Sequence, residues 1–97
     1  MARNDNVAIP ALTWTQLTNA NATAIRVQSV ILSEMTLQAT NGVTAPTTQV
    51  GTIALAGGAV LAADLTIAQL WPGVTGANRV WAFATTASVA SVSHADA

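Results

Sequence analysis

The chain contains no cysteine and no lysine. Without cysteine there is no disulfide frame, no thiolate zinc site and no thiol nucleophile, and nothing is said about redox compartment. The absence of lysine removes the phosphate-cradling lysine of P-loop enzymes, Schiff-base chemistry and a lysine general base. Charge of either sign is scarce: 7% of residues are charged, with Arg3, Arg26 and Arg79 against Asp5, Glu34, Asp64 and Asp96. A net charge of -1 gives no field for steering toward polyanions, so no nucleic-acid partner is expected. Long hydrophobic runs are missing too. The longest uncharged stretch, Met35 to Ala63, is broken by Asn41, Gly42, Pro46, Gly57 and Gly58, so no membrane-spanning helix is expected. The opening MARNDNVAIPAL does not read as a secretory signal, and synthesis in a cytosol is expected.

What is present is apolar and small. The 97 residues are 52% hydrophobic, with a mean hydropathy of +0.48. A chain of this length is read as a single β domain spanning 1–97, with flexible ends about 1–6 and 94–97. Size scaling gives a folded surface of roughly 5,200 Å² and burial of about 64% of the unfolded surface, enough for one modest core. Seven formal charges on that area leave an exterior made of Thr, Ser, Asn, Gln, Ala and backbone. Such an exterior loses little on docking against other polypeptide, which points to a structural or interaction protein.

Short runs rich in Val, Ile, Leu and Thr alternate with Asn, Gly and Pro signals every eight to twelve residues, which predicts an all-β fold. The expectation is a small β-sandwich or jelly-roll-like barrel of six to eight short strands, with one short helix near residues 65–71. A first strand is placed over Val7–Leu17, bent at Pro10, followed by a loop at Thr18–Thr23. In Ala24–Ile31 the residues Ile25, Val27 and Ser29 share one face and Arg26, Gln28 and Val30 the other. Glu34–Thr40 is a strand with Met35, Leu37 and Ala39 on one face, and Asn41-Gly42 predicts a tight hairpin turn. Thr52–Leu55 is a short strand ending at Gly57-Gly58, with Val60–Asp64 as its returning arm. Leu65, Ala68 and Trp71 fall at helical spacing; Asp64 or Thr66 can cap, and Pro72-Gly73 ends the element. Arg79–Thr85 and Ser88–Ser93 read as a closing hairpin. Leu12–Leu17 (LTWTQL) echoes Leu65–Leu70 (LTIAQL), too short a match for a repeat array.

Few residues suggest chemistry. Ser93-His94-Ala95-Asp96 holds the three residue types of a hydrolase triad, but neighbours in extended chain point to opposite sides, so the plain reading is a strand end. The carboxylates are dispersed and His94 has no second histidine, so neither a metal site nor a paired-acid site is expected, and no cofactor. An enzyme would need a pocket collecting at least two of Asp5, Glu34, Asp64, His94 and Asp96. Gly57-Gly58 and Gly73–Gly76 are read as turns. Trp14, Trp71 and Trp81 are the largest side chains in a chain of small ones; each is weighed as core filler, protein-interface contact or sugar-stacking platform. Arg26 and Arg79 read as solvated strand residues or as partners of a neighbouring chain's Glu34 or Asp64. The interface candidates are therefore Trp14, Arg26, Trp71, Arg79 and Trp81.

The runs WTQLTNANATAIRVQ (Trp14–Gln28), APTTQVGTIAL (Ala45–Leu55), LTIAQLWPGV (Leu65–Val74), NRVWAFA (Asn78–Ala84) and VSVSHA together resemble small virion proteins of tailed bacteriophages, in particular capsid decoration or cement proteins. The resemblance implies a compact β module, made in the bacterial host cytoplasm, that associates, commonly as a homotrimer, on the outer surface of the capsid and clamps neighbouring copies of the major capsid protein. A tail or fibre component acting as a receptor- or glycan-binding module is the alternative it leaves open. Action would be mechanical: repeated contacts of about 800 Å² per protomer stabilise the assembled shell by linkage and avidity.

Overall fold

The computed structural model describes residues 2–31 and 34–96. Among these residues, eight strands and one short helix form a β-sandwich. In chain order they are β1 (Arg3–Ile9), β2 (Thr15–Gln16), β3 (Arg26–Ser29), β4 (Met35–Thr40), β5 (Ile53–Leu55), β6 (Val60–Leu61), α1 (Ile67–Leu70), β7 (Arg79–Phe83) and β8 (Ser88–His94). Two four-stranded antiparallel sheets are built in the orders β1-β8-β3-β6 and β2-β7-β4-β5.

Alternation decides what the sheets enclose. Ile25, Val27, Ala90 and Val92 from the first sheet meet Met35, Leu37, Ala39, Val80 and Ala82 from the second, all nearly devoid of solvent contact. The facing pattern expected for 24–31 and 34–40 is the one observed. The molecule exposes 4891 Å², near the area expected from its mass.

Several sequence expectations are corrected. Val7–Leu17 is not one bent strand: β1 ends at Ile9, and the chain passes at Pro10 and Ala11 from the first sheet to the second, where Ala11 bridges Ala84. Proline suits that passage because no ladder donor is needed there. Just beyond it, Leu12 adopts φ 58° and donates its N–H to the Ala84 carbonyl at 2.8 Å. Asn41-Gly42 does not close a tight hairpin. The partners of β4 are β7 and β5, and β5, the next strand in the chain, begins only at Ile53; Gly42 (φ 91°) instead opens the connection 41–52 while donating its N–H to Asn78 Oδ1 at 2.9 Å.

The returning arm after Gly57-Gly58 pairs not with β5 but with β3 of the other sheet, with Val27 opposite Leu61. Likewise β7 and β8 are not hairpin partners; Thr85–Ala87 carries the chain from one sheet to the other. A three-residue linker reads the same in sequence whether it folds back or crosses, and burial of both apolar faces decides between them. Residues 3–6 and His94 belong to β1 and β8, which pair along their whole length from Arg3 opposite His94 to Ile9 opposite Ser88. The polar run Arg3–Asn6 shows no apolar alternation, and on the edge strand β1 three of its four residues are exposed.

The helix forms where expected, over four residues. Thr66 is its N-cap: its hydroxyl accepts from the Gln69 N–H while the Gln69 side chain accepts from the Thr66 N–H, closing a capping box. The buried side carries Ile67 and Trp71 rather than Leu65 and Ala68, which are exposed.

Candidate interaction surface

The five interface candidates separate into three places. Trp71, 5% exposed, closes the core below α1, and its indole N–H donates to the Gly51 carbonyl at 3.0 Å. That bond fixes the far end of the 41–52 connection, so Trp71 is a packing residue. Trp81 is 8% exposed but lies outside the core cluster, because β7 turns Val80 and Ala82 inward and Arg79, Trp81 and Phe83 outward. Across the ladder it is flanked by Gln16 and Gln38, and its indole N–H donates to Thr40 Oγ1 at 2.8 Å. Trp14, half-buried, extends the same outer face; its ring lies 5.3 Å from that of Phe83 at 49°.

Arg79 stands on this face opposite Thr40 and donates from Nε to Asn21 Oδ1 at 2.9 Å. Thus Trp14, Trp81 and Arg79 share the outer face of the β2-β7-β4-β5 sheet. Gln16 Oε1, buried there beside Trp81, has no hydrogen-bond partner among the described residues. Arg26 is elsewhere: it lies on the outer face of the first sheet, between Ser93 across the ladder and Ser91, whose hydroxyl accepts from Nη2 at 3.4 Å.

That first outer face is composed in rows. Ala8 lies beside Val89, and Val30 donates its N–H to the Val89 carbonyl; Asn6, Ser91, Gln28 and Val60 form the next row, then Asn4, Ser93 and Arg26. Arg26 is the one ionised group among them. Small, uncharged side chains on a pleated surface give a flat face with little to desolvate on contact. Sequence reasoning singled out Arg26 but missed the rows, since only the register brings Ala8, Val89 and Val30 side by side.

The depression of about 420 Å³ beside the end of β8 is lined by Arg26, Ser93, His94 and Asp96 among others, and so collects two of the groups an enzyme would need. Its histidine is already engaged. The Asn19 N–H points at Nε2 at 3.4 Å and Nδ1 lies 3.1 Å from the Ala95 carbonyl, so both ring nitrogens face backbone groups of this chain. Strand alternation turns Ser93 outward and His94 inward. Asp5, Glu34 and Asp64 lie on three other segments, and among the described residues no three His, Cys, Asp or Glu gather at metal-binding distance. A second depression, of about 320 Å³, adjoins Phe83 and is lined by Glu34, Thr36, Gln49, Thr85 and Thr86.

Compared with protein-family models, curated proteins and solved structures, the chain matches none of them.

Proposed function

We propose that the chain is a non-enzymatic structural protein that works by lying against other polypeptide, and that it serves as a head decoration or cement protein of a tailed-phage virion. The observation that carries this reading is the flat first-sheet face, whose rows from Ala8–Val89–Val30 to Asn4–Ser93–Arg26 hold one ionised group. Docking such a face displaces water from alkyl, hydroxyl and amide groups, which find new partners at little cost, so useful affinity comes from area and copy number. In this reading the chain associates with itself, as a homotrimer by the resemblance, and bridges neighbouring copies of the major capsid protein on the capsid surface. Binding the assembled shell better than its separated subunits stabilises the shell by linkage.

Imaging of intact particles tests it. The expected result is density for this sandwich on the outside of the head, with co-sedimentation of the purified chain and undecorated heads; a chain that never enriches with particles overturns the reading.

The tail or fibre alternative draws on a different observation. Phe83, backed by Trp14, borders the depression containing Glu34, Thr36 and Gln49, the mixture of ring face, carboxylate, hydroxyl and amide that sugars favour. Titration with host surface glycans, read by tryptophan fluorescence, separates the two: saturable quenching that Phe83→Ala abolishes supports the alternative, and a flat titration removes it.

A further inference from the structure

The geometry points to β1 as a two-fold contact through which two copies of this chain join their first sheets edge to edge. This rests on the reading above that the chain associates with itself, and it assigns that contact two-fold symmetry in place of the three-fold symmetry implied by the resemblance. β1 is the outermost strand of its sheet: it pairs with β8 on one side, and among the described residues no strand pairs with its other side along Arg3–Ile9. At seven residues it equals β8 as the longest strand, whereas the other three edge strands, β2, β5 and β6, have two or three residues each. Such an edge accepts an antiparallel strand, and a second β1 is self-complementary in a single register.

Side-chain charge selects that register. Arg3 and Asp5 project from the same face of β1, and Arg3 Nε lies 3.5 Å from Asp5 Oδ1. At that distance the pair attracts without a well-formed hydrogen bond, and Arg3 Nε is buried with no hydrogen-bond partner among the described residues. The guanidinium is held in place from its other end, where Nη1 donates to the Leu17 carbonyl at 3.0 Å. An antiparallel copy centred on Asn4 sets Arg3 opposite the second copy's Asp5 and Asp5 opposite its Arg3. The four groups then form a square of alternating sign across the ladder. Centring on Asp5 would set carboxylate against carboxylate, and centring on Asn6 would set Asp5 against Val7 and Arg3 against Ile9. Opposite charges directly across a ladder stabilise and like charges destabilise, so the Asn4-centred register is the one the edge specifies.

Inward-facing charges near an edge ordinarily discourage pairing with foreign strands. Here the same charges exclude other partners and admit the one strand that presents them in reverse order. The symmetry is two-fold and the overlap, Ala2–Asn6, is short, so the contact is weak by itself and gains from repetition on a surface.

Sedimentation velocity of the full chain from about 10 µM to about 1 mM tests it, since an interface of this small size dissociates in that range. Expected are a concentration-dependent dimer that weakens as salt is raised, at least tenfold loss of dimerisation in Asp5→Arg, and recovery when Asp5→Arg is mixed with Arg3→Asp, because that heterodimer sets two arginines of one copy directly across the ladder from two aspartates of the other. Thermal melts check that both variants fold; should Arg3→Asp unfold through loss of its Leu17 contact, the salt series and Asp5→Arg decide alone. A wild-type monomer throughout, a trimer indifferent to Asp5→Arg, or two folded variants that fail to complement each other overturns the edge contact. Co-sedimentation with heads is scored separately: a monomeric Asp5→Arg that still binds heads supports the edge contact and leaves the decoration reading intact.

Discussion

At the residue scale, the three tryptophans do different work, and substitution separates them. Trp71 fills the core and holds Gly51, so Trp71→Ala is expected to lose about 3–5 kcal/mol of unfolding free energy, measured by urea denaturation. Trp71→Phe keeps most of the ring and forfeits mainly the hydrogen bond, leaving the Gly51 carbonyl without its donor; a loss of about 1–2 kcal/mol is expected. Trp14 is half-buried and rests on Phe83, so Trp14→Ala should lose only about 0.5–1.5 kcal/mol. A loss from Trp14→Ala equal to that from Trp71→Ala would contradict this placement. Leu12 offers the opposite sign. Its side chain is 68% exposed while its backbone occupies the left-handed region, which costs a branched residue about 1–2 kcal/mol. Leu12→Asn, tolerant of that region and leaving the N–H bond to Ala84 in place, is expected to raise the unfolding midpoint.

At the scale of elements, α1 is too short to persist by propensity, and its capping box and the burial of Ile67 hold it. Thr66→Ala removes the hydroxyl that accepts from Gln69 and should cost about 1 kcal/mol, read in the same denaturation assay. Gly76 makes a sharper test of the turn that follows. It sits at φ 70°, and a Cβ there would stand 2.8 Å from Asn41 Nδ2. Gly76→Ala therefore carries left-handed strain while the exposed Asn41 amide can swing aside, and destabilisation by about 1 kcal/mol is expected; Asn41→Gly in the same chain should recover little of it. The strands themselves were legible where one face is core and the other is not: 24–31 and 34–40 follow strict alternation. Arg3–Asn6 was not legible, because its pairing with β8 is a backbone matter to which four polar side chains contribute no pattern.

At the scale of the molecule, both sheets are assembled from distant pieces of chain. β1 pairs with β8, and β7 is placed between β2 and β4, so loop-closure entropy must be met before most of the ladder forms. Refolding in milliseconds to seconds is expected from this topology, and stopped-flow tryptophan fluorescence would measure it. Three of the candidate residues, Trp14, Trp81 and Arg79, come together on one outer face, while Arg26 occupies the other and Trp71 the interior; no spacing in the chain distinguishes these fates.

The pair LTWTQL and LTIAQL shows where sequence stops. Both carry a threonine followed three residues later by glutamine, the pattern of a capping box. Over Thr66–Gln69 the box forms and α1 follows; over Thr13–Gln16 the same spacing becomes β2, since Thr15 and Gln16 find Ala82 and Trp81 across the ladder. Composition and period by themselves determined the class, a charge-poor all-β chain with one helix stopped at Pro72-Gly73, because those signals act within a few residues. Which strands share a sheet, which face each tryptophan takes, and whether a short linker folds back or crosses were decided only in the tertiary structure. Those choices rest on burying two apolar surfaces against each other, and that free energy belongs to no local segment.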